Sequence, residues 1–75
     1  MSEICQKCNR TFPPELVREM AIGEEGRLHY ELMCPLCALE IINNLHGLPK
    51  GTPFRGRLAA TMYANAVAHL EKTNQ

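Results

Sequence analysis

The chain has 75 residues, 45% of them hydrophobic, and its eight acidic side chains balance eight basic ones. That length holds one domain whose apolar core is marginal on its own, and the composition excludes a disordered chain and a strongly basic nucleic-acid-binding segment. With no Trp, two Phe and two Tyr, the core must come from Leu, Ile, Met, Val and Ala, and a fold this small ordinarily needs a staple such as a structural metal.

The opening residues, Met1-Ser2-Glu3-Ile4, lack the basic region and apolar run of a secretory signal. No apolar stretch approaches the roughly 20 residues that span a bilayer. The expectation is a cytoplasmic, reducing location, where paired cysteines favour metal over disulfides.

All four cysteines fall into two Cys-x-x-Cys pairs, Cys5-Gln6-Lys7-Cys8 and Cys34-Pro35-Leu36-Cys37, with 25 positions between them. Two thiolate pairs suit a tetrahedral zinc ion, each pair folding around one edge of the metal. The separation exceeds the commoner spacing of roughly 15–20 residues. A longer loop costs entropy only logarithmically, so one finger still closes over it. Bound metal would supply folding free energy that the thin core lacks, ~10–16 kcal/mol apparent in zinc-finger peptides.

Residues 4–9 form the first knuckle, and Asn9 stands where a left-handed backbone is often needed. Thr11-Phe12-Pro13-Pro14 reads as a break, since neither proline donates to a ladder. Residues 15–22 fit either a short helical face or a strand. Gly23-Glu24-Glu25-Gly26 is a turn signal, and beyond it Leu28, Tyr30 and Leu32 alternate with His29, Glu31 and Met33 at the period of a strand. A loose hairpin of about 17–22 with 27–32 follows.

The second knuckle opens a helix through His46, with Leu36, Leu39, Ile41, Ile42 and Leu45 as its apolar stripe. Pro35 suits the first turn and Gly47 the position just past the end. Cys34 and Cys37 thereby sit at a helix N-terminus, which favours thiolate. Residues 48–53 are a connector in which Thr52 is a candidate cap and Pro53 a first helical residue. A longer helix is expected over 54–73, with a row of Leu58, Met62, Ala66 and Leu70 joined by Ala59, Tyr63 and Val67.

The order of knuckle, loose hairpin and metal-bearing helix resembles the treble-clef zinc-finger class over about residues 4–47. The resemblance implies a single structural Zn2+ held by Cys5, Cys8, Cys34 and Cys37, and leaves the activity open, since that class serves DNA, RNA and protein binding as well as some nucleases. A zinc ribbon would continue as a strand after Cys37. Cys34-Pro35-Leu36-Cys37 is also similar to a rubredoxin knuckle, but such iron sites usually have glycine after each pair, where Asn9 and Ala38 stand here. The fold expected is one small α+β zinc-binding domain over 1–75, with a longer C-terminal helix added to the finger.

Catalysis is not expected. Four cysteines leave a zinc no open position, and His29, His46 and His69 accompany no HExxH or other histidine–carboxylate motif. They read as surface or capping histidines. Thiol redox chemistry is disfavoured because such Cys-x-x-Cys motifs sit in a longer βαβ framework.

Charge divides along the chain: residues 1–46 carry seven acids against four bases, and residues 47–75 four bases against one acid. Lys50, Arg55 and Arg57 make a basic cluster at the connector, the feature on which nucleic-acid binding would rest, although stacking aromatics are few. The preferred expectation is a protein partner or self-association through the last helix, with Met62, Tyr63 and Val67 as candidate contacts. No small-molecule substrate is indicated.

Overall fold

Backbone chemistry near the first cysteine pair sets the start of the fold. The computed structural model describes residues 2–73, beginning with β1 (Glu3–Ile4) paired antiparallel to β2 (Thr11–Phe12). The turn between them closes through Cys5 N–H to the Arg10 carbonyl at 2.9 Å and Asn9 N–H to the Cys5 carbonyl at 2.7 Å. Asn9 takes φ 63°, the left-handed conformation that Asn tolerates better than most residues.

Thr11-Phe12, expected as a break, is therefore a strand. The prolines end this ladder without preventing it, and Phe12 becomes the largest fully buried side chain. Its burial is worth roughly 1.5–3 kcal/mol. Pro14–Leu16 then makes one 3₁₀ turn, with Leu16 N–H on the Pro13 carbonyl and Val17 N–H on that of Pro14. Proline fits the first turn because its ring fixes φ and it needs no donor there.

Residues 15–22, open between helix and strand from sequence, divide between this turn and β3 (Arg18–Ile22). β3 pairs antiparallel with β4 (His29–Met33), Arg18 opposite Met33 and Ile22 opposite His29. The hairpin thus starts later on each arm than the 17–22 and 27–32 read from the sequence. Its loop depends on Gly23, at φ 118°, where a Cβ would lie 2.6 Å from the Arg27 carbonyl oxygen.

The alternation of Leu28, Tyr30 and Leu32 does not mark the buried face. Leu28 and Tyr30 are exposed, Leu32 is half-buried, and Met33 is 2% exposed. Residues directly opposite in an antiparallel pair share a face, so Met33, Met20 and Ile22 line the inner side. The outer end of the hairpin extends past what so small a core can cover.

Helix α1 (Pro35–Leu45) starts from Cys34, whose extended backbone (φ −78°, ψ 162°) lets its carbonyl accept Ala38 N–H at 3.0 Å. It ends in a Schellman motif: Leu48 N–H reaches the Asn43 carbonyl at 2.8 Å and Gly47 N–H that of Asn44 at 3.3 Å, with Gly47 at φ 67°. Leu39 is buried, while Leu45, the last residue of the expected stripe, is exposed.

Helix α2 (Arg57–Thr73) begins three residues after the expected start. Gly56 supplies the first carbonyl, accepting Ala60 N–H at 2.9 Å. Thr52 does not cap it, because its hydroxyl turns back and donates to the Pro49 carbonyl at 2.6 Å. Pro53 accordingly precedes the helix, and Phe54 packs edge-on against Tyr63 with ring centroids 6.1 Å apart. α2 lies on both α1 and the 3₁₀ turn. Its Ala66 is fully buried among Phe12, Leu16, Val17 and Met33, with Met62 and Leu70 packed at the margin.

The result is a small α+β fold of two short antiparallel ribbons and two helices. No helix among the described residues is long and apolar enough to cross a membrane.

Candidate metal centre

Three elements deliver the four cysteines to one point. The β1–β2 turn carries Cys5 and Cys8, the end of β4 leads into Cys34, and the first turn of α1 carries Cys37. Their four Sγ atoms all lie within 4.8 Å of one another, with Cys8 and Cys34 at 4.0 Å. A regular tetrahedron with metal–sulfur bonds of ~2.3 Å has edges of about 3.8 Å, so the cluster is close to a four-thiolate shell. The cysteines are free rather than bridged. Soft thiolate donors in this number and shape can hold one metal ion, consistent with a four-cysteine zinc site.

The two knuckles are tied by backbone and by one side chain. Gln6 N–H donates to the Leu32 carbonyl at 2.8 Å, and Leu32 N–H donates to Gln6 Oε1 at 2.7 Å. The turn bearing the first pair is thereby pinned to the strand that leads into the second. Cys5 and Cys34 are wholly buried, and Cys8 and Cys37 are half-exposed.

Burial would raise all buried thiols, yet their surroundings separate them. Burial pushes Cys5 up, but backbone N–H groups of Cys34, Cys8 and Lys7 outweigh it and bring its pKa down to about 7. Burial raises Cys34, and the N–H of Cys37 offsets only part of that. Cys37 is raised far above the ordinary thiol range, by burial first and by its hydrogen bond with Cys34 second. Without a cation, four neighbouring thiols cannot all ionise; a divalent ion reverses that preference.

The histidines stand apart from this cluster. His29 Nε2 donates to Glu31 Oε2 at 3.0 Å towards the open end of the hairpin, on the same face of β4 as Met33. His46 closes α1, its N–H on the Ile42 carbonyl. His69 Nε2 donates to the Thr11 carbonyl at 3.1 Å and lies 5.6 Å from the Phe12 ring, fastening α2 to β2.

Lys50, Arg55 and Arg57 are all exposed. Lys50 borders a hollow with Glu40 and Tyr63, Arg55 one with His46 and Ile42, and Arg57 begins α2. Met62, Tyr63 and Val67 are half-buried; the large apolar side chain that α2 exposes is Leu58, at 73%.

Two features escaped the sequence reading. Gln6 lies between ligands in a motif that draws attention only to its cysteines. Asn43 is a buried amide in α1 whose Nδ2 donates to the Thr52 carbonyl at 2.9 Å, tying the connector to the metal-bearing helix. A lone asparagine on an otherwise apolar stripe is the signal that could have revealed it. Comparisons with known protein families, curated proteins and solved structures return no match to this chain.

Proposed function

We propose that the protein is a non-catalytic binding module of treble-clef type, stabilised by one structural Zn2+, that engages a protein partner or a second copy of itself. The observation that carries the structural role is the set of four cysteine sulfurs within 4.8 Å. Four thiolates fill a tetrahedral shell and leave no open position for a substrate or an activated water. The knuckle, the β3–β4 hairpin and the helix carrying Cys37 follow one another in treble-clef order, which supports that assignment.

Interaction with protein draws on the apolar surface that the fold leaves uncovered. Leu45 is 80% exposed at the end of α1, and Leu58 73% at the start of α2. Few aromatic side chains are available for stacking on bases, and the chain carries as many acids as bases, unlike a generic nucleic-acid binder. A nucleic-acid ligand remains the second reading because, among the described residues, none of Lys50, Arg55 and Arg57 is in a salt bridge.

Metal analysis and sedimentation test the proposal together. One zinc per chain is expected, with a mass that rises with concentration or a saturable complex with a protein partner. Bound iron would overturn the metal assignment. Tight, salt-sensitive oligonucleotide binding that Arg55→Ala and Arg57→Ala weaken would replace the protein reading with the nucleic-acid one.

A further inference from the structure

Phe54 stands between two hollows on one side of the molecule. The first, about 140 Å³, is lined by Met20, Met33 and Met62, which are all the methionines among the described residues. The second, about 370 Å³, is lined by Ile42, Leu48 and Pro53. Pro35 and Ala38 of α1 border the first, and Ile42 of the same helix borders the second. Spacing of three and then four residues keeps these positions on one helical face, so the hollows follow each other along α1 with Phe54 belonging to both.

The charged side chains that line this groove are both arginines: Arg18 borders the first hollow and Arg55 the second, beside His46. Among the described residues no carboxylate lines either. The chain as a whole carries as many acids as bases, so their separation here selects the partner's charge. Methionine side chains are unbranched and polarizable, and they adapt to the shape of an inserted group. The second hollow is within the ~300–1,000 Å³ usual for binding clefts.

Resting on the protein-interaction reading above, we infer that this groove binds a short acidic peptide segment. Two of the segment's apolar side chains enter the hollows on either side of Phe54, and its carboxylates face Arg18 and Arg55. Single-stranded nucleic acid fits less well. The floor is aliphatic and thioether, with one aromatic ring in place of a series of stacking platforms.

The three methionine methyl groups provide the measurement. Zinc-loaded protein carrying 13C-methyl methionine is titrated with a synthetic peptide holding two leucines among Asp and Glu, then with its Lys-rich counterpart and with oligo-dT. The acidic peptide is expected to move the Met20, Met33 and Met62 signals saturably, and the basic one to leave them in place. Arg18→Glu combined with Arg55→Glu should weaken the acidic peptide at least about tenfold and turn the preference to the basic one. Should the double variant fold poorly, Arg55→Glu alone, outside both helices, keeps the test. Motionless methyl signals, or a preference unmoved by charge reversal, would overturn the groove. If a partner still binds while these methyls stay fixed, only the groove falls. If oligo-dT is the tighter ligand at the same methyls, the protein-interaction reading falls with it.

Discussion

Gln6 imitates a strand at the outer edge of β4. Its backbone N–H and its side-chain oxygen complete both hydrogen bonds of Leu32, so a single residue pairs with the strand without extending the sheet. Because the two contacts fix the spacing between the cysteine pairs, Gln6→Ala should weaken metal binding rather than abolish folding. Loss of one such bond is worth about 1 kcal/mol, roughly a fivefold drop in affinity. Gln6→Glu, which keeps an acceptor oxygen, should stay near the native value. Chelator competition reads both, and equal affinities for the native and Ala proteins would show that the contact is idle. The thiols add a pH dependence. Cys34 and Cys37 are raised and so hold their protons at neutral pH, and metal must displace them. Affinity should therefore fall with falling pH by at least ~100-fold per unit, the slope for two protons. An unfolded metal-free chain, with ordinary thiols, would release more protons still, so two is a lower bound. A flat profile between pH 6 and 8 would contradict the thiolate shell.

Secondary elements divide by how local their causes are. α1 was readable in the sequence because Pro35 and Gly47 each act through their own backbone, and the left-handed Asn9 was readable for the same reason. The cysteine cluster was readable because the motif's spacing is itself the geometry of a metal shell. The inner face of the hairpin was not, because Leu28 and Tyr30 have the right pattern but lie beyond the reach of the core. Pairing of Thr11-Phe12 with Glu3-Ile4, and the Asn43–Thr52 tie, depend on the path the chain takes between the partners, which no local pattern of residue types records. The onset of α2 depends on Phe54 and Thr52 being committed elsewhere, which no helical propensity records. α2 itself approaches the core through Ala66, at 0% exposure, between half-buried Met62 and Leu70. A larger side chain there has nowhere to go. Ala66→Leu should destabilise the metal-loaded protein by about 1–3 kcal/mol, whereas Ala68→Leu, on the exposed side of the same helix, should change little. Denaturant midpoints compare the two, and equal effects would mean that α2 does not pack through Ala66.

Across the whole molecule, the metal site and the hydrophobic core are one structure. Cys5 and Cys34 belong to the same buried cluster as Phe12, Leu16, Val17, Met33 and Ala66. α2 contributes no cysteine, yet its buried Ala66 belongs to that cluster and its His69 is bonded to β2 beside the first knuckle. Removing the ion would leave four thiols crowded within 4.8 Å and free the two knuckles to separate. A core of this size cannot restrain them alone, since few large side chains are fully buried. Chelation, or Cys8→Ser, should therefore abolish helical signal from α2 together with that from α1, in one transition rather than two. Helical circular dichroism, which sums α1 and α2, and the fluorescence of the two tyrosines, Tyr30 on the hairpin and Tyr63 on α2, follow the helices and the rest of the fold. Coincident curves against chelator concentration are the expected outcome. A native spectrum that survives complete metal removal would mean that packing among Phe12, Met33 and Ala66 suffices, and the ion would then need a role other than holding the fold.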